Sequence, residues 1–274
     1  MSEPLVSIVI PTRNSEKTLP LSLASIKKQT YKNIEIIVVD NYSSDRTREI
    51  AEHFEAKVYL LRSERTRAKN FGTKVARGEY VLFIDSDMEL TPHVIEESIK
   101  LMKTDPKIGG IVIPERSVGS SFWVKVRNFE RSFYVGTAIE SARFFRRDLA
   151  LKVGGFDEEV VFFEESTLPQ KIESLGYDVK ARISSYILHH EDDFSLFRWL
   201  KKKYYYGKTA KQYIQKYKEY MNEQIGLLYR FRLFFKSKRF WNKPHLAFGV
   251  IALKILEYFV AGIGYLAGEV KNGR

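Results

Sequence analysis

Asp85-Ser86-Asp87 follows an apolar run, Tyr80–Ile84, with no spacer. Two carboxylates on alternate residues at a strand end can reach one hard divalent cation, Mn2+ or Mg2+. They leave positions open for phosphate oxygens. The plainer reading of Asp-x-Asp is an acidic turn with capping roles. Two other apolar runs end in polar residues. Leu5–Ile10 leads into Pro11-Thr12-Arg13-Asn14, and Ile34–Val39 leads into Asp40. His189-His190 closes a further apolar stretch, Tyr186–Leu188, and a neutral imidazole is a good metal ligand. No GxGxxG follows the first run and no GxxxxGKS/T occurs anywhere, which argues against a nicotinamide enzyme and a P-loop NTPase. There is no cysteine, so thiolate metal sites, disulfides and a Cys nucleophile are excluded.

These residues need elements to hold them. Leu5–Ile10, Ile34–Val39, Val58–Leu61 and Tyr80–Ile84 read as buried strands, and Glu16–Gln29, Asp45–Phe54 and Thr66–Ala76 as the helices between them. Strand–helix–strand units of this length predict right-handed crossovers and a mainly parallel, Rossmann-like sheet flanked by helices. In such sheets ligands bind beyond the carboxyl ends of the strands. Pro11–Asn14, Asp40 and Asp85–Asp87 should therefore line one crevice. Further on, the pattern predicts a helix from Pro92 to about Lys103, a strand at Gly110–Ile113, a helix over Ser121–Tyr134 and an extended Ala142–Arg146. A helix over Glu165–Leu175 and a strand at Asp178–Ile183 complete it. From Ser195 onward the chain reads as helical, and the functional boundary is placed near Phe194.

The ordered motifs Val6–Asn14, Val38–Asp45, Ala68-Lys69-Asn70 and Gly78–Asp87 resemble the family 2 glycosyltransferases. Gly154-Gly155-Phe156-Asp157-Glu158, Glu164-Glu165 and His189 continue the same order. The resemblance spans about 4–192. It implies a GT-A fold, metal dependence and inverting transfer from a nucleotide sugar. Carried over position by position, it places Pro11, Thr12, Arg13, Glu16, Asp40, Lys69, Asp85 and Ser86 at the nucleotide sugar. Asn41 stands where a second Asp is usual, and Lys69 where Arg is usual; the alternative for Lys69 is a solvated helix face. Asp85, Asp87 and His189 become the metal ligands, with His190 the alternative to His189. Glu165, the second of the acidic pair with Glu164, becomes the general base that takes the acceptor proton. The alternative for the pair is two acids favoured by a helix N-terminus. The resemblance splits residues 1–194 into a nucleotide-sugar half, about 1–113, and an acceptor half, about 114–194. In the acceptor half Trp123 can stack on a sugar, and Arg127 or Arg131 can meet phosphate, against ordinary packing.

The chain has 274 residues and a formal net charge of +11. The excess is local: residues 198–243 hold fourteen Lys/Arg, two acids and thirteen aromatics. A basic, aromatic helical segment suits an anionic membrane face. Nucleic acid is the rival partner, but no RNA- or DNA-binding motif accompanies it, so none is expected. Tyr206, Tyr213, Tyr217 and Tyr220 are spaced for one helical face. The one long apolar stretch, Pro244–Gly268, contains Lys254 and Glu257. Its apolar residues contribute roughly −3 to −7 kcal/mol to insertion, while those two charges cost about 5–7. An in-plane helix within a basic tail, 195–274, is therefore expected rather than an unaided span. The alternative is docking on the catalytic domain or on a second copy, with homo-oligomerisation through this helix left open. Met-Ser-Glu-Pro runs straight into the first strand, so no secretory leader is expected.

Together these readings expect a hexose moved from UDP- or GDP-sugar to a hydroxyl of a lipid-linked saccharide. The place expected is the cytoplasmic face of a membrane, with the enzyme peripheral or monotopic. Transfer to a polyprenyl or dolichyl phosphate itself is the nearest alternative. A non-catalytic binding module on the same fold is the alternative of a different class.

Overall fold

The computed structural model describes residues 3–272, with side chains to residue 268. The chain forms two compact units, neither continuous in sequence. The first comprises Met1–Glu115, Ser141–Glu158 and Glu164–His190; the second comprises Arg116–Glu140, Glu159–Phe163 and Glu191–Arg274.

In chain order the strands are β1 (Val6–Thr12), β2 (Ile34–Asp40), β3 (Lys57–Leu60), β4 (Tyr80–Phe83), β5 (Met88–Leu90), β6 (Gly110–Val112), β7 (Glu115–Val118), β8 (Ala142–Arg146), β9 (Ala181–Arg182) and β10 (Ile187–His190). The helices of the first unit are α1 (Leu19–Lys27), α2 (Thr47–His53), α3 (Arg65–Val75), α4 (Val94–Thr104), α6 (Arg147–Lys152) and α7 (Glu164–Glu173); α5 (Phe122–Arg131) belongs to the second. Seven strands form one sheet in the order β3-β2-β1-β4-β8-β6-β9. β1 pairs in parallel with β2 and β4, as do β2 with β3 and β6 with β9. Only β8 runs antiparallel, between β4 and β6.

Alternate residues of each central strand serve opposite faces. Ile8, Ile10, Val38 and Leu82 pack with Leu23 of α1 and Ile99 of α4. Val9, Ile37, Val39, Val81 and Phe83 pack with Ala68 of α3 and Leu168 of α7. Both faces are covered, which explains the near-continuous apolar runs. The register sets Thr12 opposite Asp40, so β1 and β2 finish level, and Phe83, the last residue of β4, opposite Val9, so β4 stops short of them and Ile84 leads on to Asp85 beside the same edge.

The opposite sheet edge is tied by Glu35. Its Oε1 accepts from Ser7 Oγ and Arg77 N, each at 2.6 Å, and its Oε2 from Lys57 Nζ at 2.7 Å. Burial opposes the charged form, but the bonds from Lys57, Ser7 and Arg77 win, holding the carboxyl down to about 2.

The second unit holds α5, α8 (Leu196–Lys216), the 3-10 turn Lys218–Tyr220, α9 (Met221–Gln224), α10 (Leu227–Phe235), α11 (Lys238–Trp241) and α12 (Pro244–Asn272). Its core joins Phe129 and Phe133 to Phe234, Phe240, Val250 and Leu253. Gly207 of α8 faces the Ala261 carbonyl of α12, and Gly264 faces that of Tyr204; a Cβ at either glycine would collide with backbone.

One expectation needs correction here. The tyrosine stripe is not one helical face: α8 stops at Lys216, and Tyr220 lies in the 3-10 turn. Tyr213 is fully buried against Phe162 and Phe163, and its hydroxyl donates to Gln224. On α12 the charged residues meet protein. Lys254 is buried, with Nζ 2.7 Å from Glu130 Oε1 and paired also with Glu257, which in turn meets Lys203. The bulky face of Phe248, Ile255, Phe259, Ile263 and Leu266 is the exposed one. Pro244–Gly268, with a mean hydropathy of 1.9, is long and apolar enough to cross a membrane by length and composition alone.

Because the folded Glu35 carboxyl sits below its ordinary 4.5, its stabilisation is present above that value. It fades as pH falls through 4.5 toward 2. Glu35→Gln should therefore cost about 3 kcal/mol at pH 7. The difference from wild type should shrink by pH 3, as read from urea unfolding at the two pH values.

Candidate active site

The carboxyl ends of β1, β2 and β4 bring several expected residues to one sheet edge. Thr12 Oγ1 donates to Asp40 Oδ1 at 2.9 Å, and Ser43 N donates to Asp40 Oδ2 at 2.8 Å. Ser43 Oγ donates to Oδ1 as well. Asp40 is 0% exposed, so in this conformation its carboxylate organises the β1 and β2 loops from within. Ser86 Oγ donates to Ser15 Oγ at 2.9 Å, joining the acidic turn to the loop after β1. Pro11 ends the buried run of β1 and Arg13 is exposed. Glu16 Oε2 accepts from Arg46 N at 3.2 Å, capping the start of α2.

A dense charge cluster lies beside that edge. Asp85 Oδ2 and Glu164 Oε1 are each 3.7 Å from Arg65 Nη1, and Glu165 Oε1 is 3.8 Å from the same atom. Lys69, one helical turn after Arg65, is 1% exposed, with Nζ 5.2 Å over the Phe156 ring. A solvated position for Lys69 is thus ruled out. Arg143 of β8 is buried and gives its Nε to Glu115 Oε1 at 2.6 Å. Burial works against charge on Asp85, but Arg65, Lys69 and Arg143 hold its carboxyl well below the usual range. Glu165 is likewise lowered against burial, by Arg143 and Lys69. Glu164 goes the other way, raised by burial and by the charge of Glu165. Glu165 is the accessible member, 40% exposed. A carboxylate that is ionised and reachable has the properties of a proton acceptor. Its neighbour Glu164 is buried, so an acceptor hydroxyl reaches Glu165 first.

Local bonds fix the pair. Thr167 Oγ1 donates to the Glu164 carbonyl at 2.7 Å and accepts from Asp157 N at 3.0 Å; Ser141 Oγ donates to the Glu165 carbonyl at 2.6 Å. Phe163, just before α7, has φ of +58°, a left-handed backbone that bulky residues rarely adopt.

The expected metal ligands divide. Asp85 belongs to the cation cluster. Asp87 Oδ2 lies 3.3 Å from His189 Nε2, while its Oδ1 is buried with no hydrogen-bond partner among the described residues. Among the described residues, no group of three or more His, Asp or Glu side chains is arranged to hold a metal ion. The Asp87–His189 pair, an orphaned carboxylate oxygen beside an imidazole nitrogen, still fits one divalent cation in chemistry. His189 Nδ1 is 3.7 Å from Glu115 Oε2. His190, on the other face of β10, meets Glu89 at 2.9 Å and so points away from Asp87.

Trp123, Arg127 and Arg131 stand on α5 in the second unit. Arg127 Nη1 is 2.5 Å from Glu191, Arg131 Nη2 is 3.8 Å from the same carboxylate, and Trp123 packs edge-on against Phe122. Sequence reasoning assigned no role to Arg65, Glu115 or Arg143. Arg65 lies four residues before Lys69, hence on its helix face, and Arg143 is a charge between the apolar Ala142 and Phe144. Both were visible signals.

This mixed sheet with a C-terminal acid-and-cation edge is a GT-A fold. The sequence pattern of the family described as "Glycosyl transferase family 2" matches residues 7–157, and the chain belongs to that family. It is 37% identical over 133 residues to Glycosyltransferase GlyG of Streptococcus pneumoniae serotype 4, covering 45% of this chain and 44% of that protein. It is also 37% identical over 107 residues to "UDP-Glc:alpha-D-GlcNAc-diphosphoundecaprenol beta-1,3-glucosyltransferase WfgD" of Escherichia coli, covering 37% of this chain and 42% of that one. The chain thus matches less than half the length of these two relatives. Among solved structures it resembles the mannosyltransferase PcManGT from Pyrobaculum calidifontis in complex with GDP-Man and Mn2+. That match has a TM-score of 0.70 and 18% identity, over 97% of this chain and 88% of that one. It also resembles S. aureus TarS 1–349 in complex with UDP-GlcNAc, with TM-score 0.61 and 19% identity over 98% and 92%.

Asn70 explains two motifs at once. Its Oδ1 accepts from Phe156 N at 2.8 Å, and its Nδ2 donates to the Phe156 carbonyl at 2.9 Å and to Glu158 at 3.0 Å. Gly155, at φ +75°, leaves the room: a Cβ there would come within 2.3 Å of Asn70 Oδ1. Gly155→Ala should lose both the backbone conformation and this lock. A destabilisation of at least about 2 kcal/mol is expected in urea unfolding.

Proposed function

We propose that the chain transfers a hexose, with inversion, from a UDP- or GDP-sugar to a hydroxyl of a lipid-linked saccharide. The observation that carries this is Glu165: ionised, half-exposed and set beside Lys69 and Arg143. Transfer to a phosphate acceptor needs no base, because phosphate is already ionised. An accessible carboxylate held in its basic form favours a hydroxyl acceptor instead. The donor class is supported by family membership and by the nucleotide sugars named for PcManGT and TarS. The acceptor class is supported by the diphosphoundecaprenol in the name of WfgD.

In this reading Glu165 takes the hydroxyl proton as the oxygen attacks the anomeric carbon, opposite the departing nucleotide. Lys69 and Arg143 keep Glu165 ionised, and Glu164 holds the turn that presents it. Asp87 and His189 are the residues that would hold a divalent cation, Mn2+ or Mg2+. Bound there, the cation supplies charge stabilisation for the leaving diphosphate. Thr12, Arg13 and Ser86 line the edge where the nucleotide would lie, and Asp40 supports them from beneath. Trp123, Arg127 and Arg131 remain the candidates for acceptor contact.

The place of action is the cytoplasmic face of a membrane, with α12 lying in its plane. Phe248, Ile255, Phe259 and Leu266 would enter the headgroup boundary, and Lys254 and Glu257 are already neutralised inside the protein. The basic segment before α12 would attract anionic lipid.

Glu165→Gln should lower turnover about 10²–10⁴-fold while nucleotide binding survives. Glu164→Gln should cost less. Release of nucleotide from UDP- and GDP-sugars, assayed with a polyprenyl-diphosphate-linked acceptor, reads both. Full activity of Glu165→Gln would return the phosphate acceptor to favour. In the same assay, Asp87→Ala or EDTA should abolish turnover; full activity in either test removes the metal role. Flotation with anionic liposomes tests the membrane reading. Ile255→Ser with Phe259→Ser should weaken binding with the fold intact, and unchanged binding would discard the in-plane helix.

A further inference from the structure

Two acids serve the two ring nitrogens of His189. His189 of β10 pairs with Met88 of β5, the residue after Asp87, and Ile187 N donates to the Pro114 carbonyl at 2.8 Å, one residue before Glu115. That register sets Asp87 Oδ2 3.3 Å from Nε2 and Glu115 Oε2 3.7 Å from Nδ1. The two acids are tied differently. Glu115 Oε1 accepts from Arg143 Nε at 2.6 Å, and Arg143 Nη2 pairs with the same oxygen. Arg143 is buried, so a Glu115 that turned to ligate a cation would weaken the pairing of a buried guanidinium. Asp87 Oδ1 has no hydrogen-bond partner among the described residues. A cation therefore suits the Asp87 side of the ring, and Glu115 is left to serve the other.

We propose that Glu115 is a positioning residue for His189: its Oε2 holds the imidazole proton on Nδ1, which leaves Nε2 bare to bind a divalent cation shared with Asp87. The inference rests on the reading of Asp87 and His189 as the residues that would hold Mn2+ or Mg2+. An imidazole ligates through a nitrogen that carries no proton, and which nitrogen is bare depends on what the other one faces. A proton on Nε2 would sit against the cation, whereas one on Nδ1 sits against the Glu115 carboxylate. Glu115 lies within ion-pair distance of Nδ1, so its charge favours the second arrangement. Arg143 fixes the position of Oε1, and with it the side of the carboxylate that Oε2 presents to the ring. His190 has its own acid, Glu89, at 2.9 Å, so the two neighbouring histidines are served separately.

The test follows Mn2+ binding to the full chain by the paramagnetic resonance signal of the free ion, alone and with UDP or GDP, against protein-free blanks. Thermal melts check that each variant is folded. Glu115→Gln should weaken Mn2+ binding about tenfold or more. Glu89→Gln, which removes the acid beside His190, should stay within about twofold of wild type. The comparison that isolates positioning is made in a His189→Gln background. There Glu115→Gln should change Mn2+ binding by no more than about twofold, because the imidazole it positions is gone. The full loss in that background, an equal loss in Glu89→Gln, or no loss in Glu115→Gln overturns the role of Glu115 and leaves the metal reading standing. If Glu115→Gln does not fold, Glu115→Asp, which keeps the charge but draws it back by one methylene, takes its place, and Mn2+ binding equal to wild type overturns the role. Failure of folded wild type to bind Mn2+ under every one of these conditions overturns the metal reading and this inference with it.

Discussion

Like charges cannot share a small volume without counter-ions, and this constraint shapes the sheet edge. A unit charge pair about 4 Å apart is worth about 4 kcal/mol at an effective dielectric of about 20. Asp85, Glu164 and Glu165 all lie near one guanidinium. Without Arg65, Lys69 and Arg143 their mutual repulsion would either protonate them or push α7 away from β4. The buried lysine and arginine are otherwise costly, because desolvating a cation is repaid only by close partners. Each side of the cluster thus makes the other tolerable. The outcome is asymmetric: Glu164 rises and Glu165 falls, and chemically similar neighbours acquire different protonation behaviour.

Holding that cluster requires segments far apart in the chain to meet accurately. Asn70 does this for α3 and the Gly154–Glu158 turn with three hydrogen bonds. Thr167 and Ser141 do it for the first turn of α7. All of these but the bond to Glu158 use backbone atoms as partners, so they fix the path of the chain rather than only a side chain. The charged residues then need little freedom to find one another, and Arg65 is the exposed one of the three cations.

The sheet was legible because its central strands are buried on both faces; the expected buried run Val58–Leu61 is instead a half-exposed edge strand, because β3 has a neighbour on one side alone. Short elements escaped: β5 and β7 are three or four residues long, too short for a periodic signal. Asp85, Asp87, Glu164, Glu165 and His189 were readable from motif order. Their partition was not. That Asp85 turns to Arg65 while Asp87 turns to His189 depends on side-chain direction at a strand end, which spacing does not specify. The burial of Asp40 is similar, since it takes Ser43 in a turn to occupy its oxygens. In the tail, the long apolar stretch and its two charges, Lys254 and Glu257, were readable. Which face met protein was not, because the partner carboxylate, Glu130, lies on α5.

The pairing of Glu130 with Lys254 has a consequence for synthesis. At about 5–20 residues per second, Lys254 is made roughly 6–25 s after Glu130. During that interval α5 has no ammonium to receive its acid and no α12 to cover Phe129 and Phe133. Glu130 must stay hydrated, and the aromatic face beside it stays open to other chains. The first unit is complete in sequence by His190, well before that wait ends. The nascent protein therefore passes through a state with its acid-and-cation edge fully synthesised and its second core unfinished. In that window, chaperones or a nearby membrane would find the uncovered face of Phe129 and Phe133.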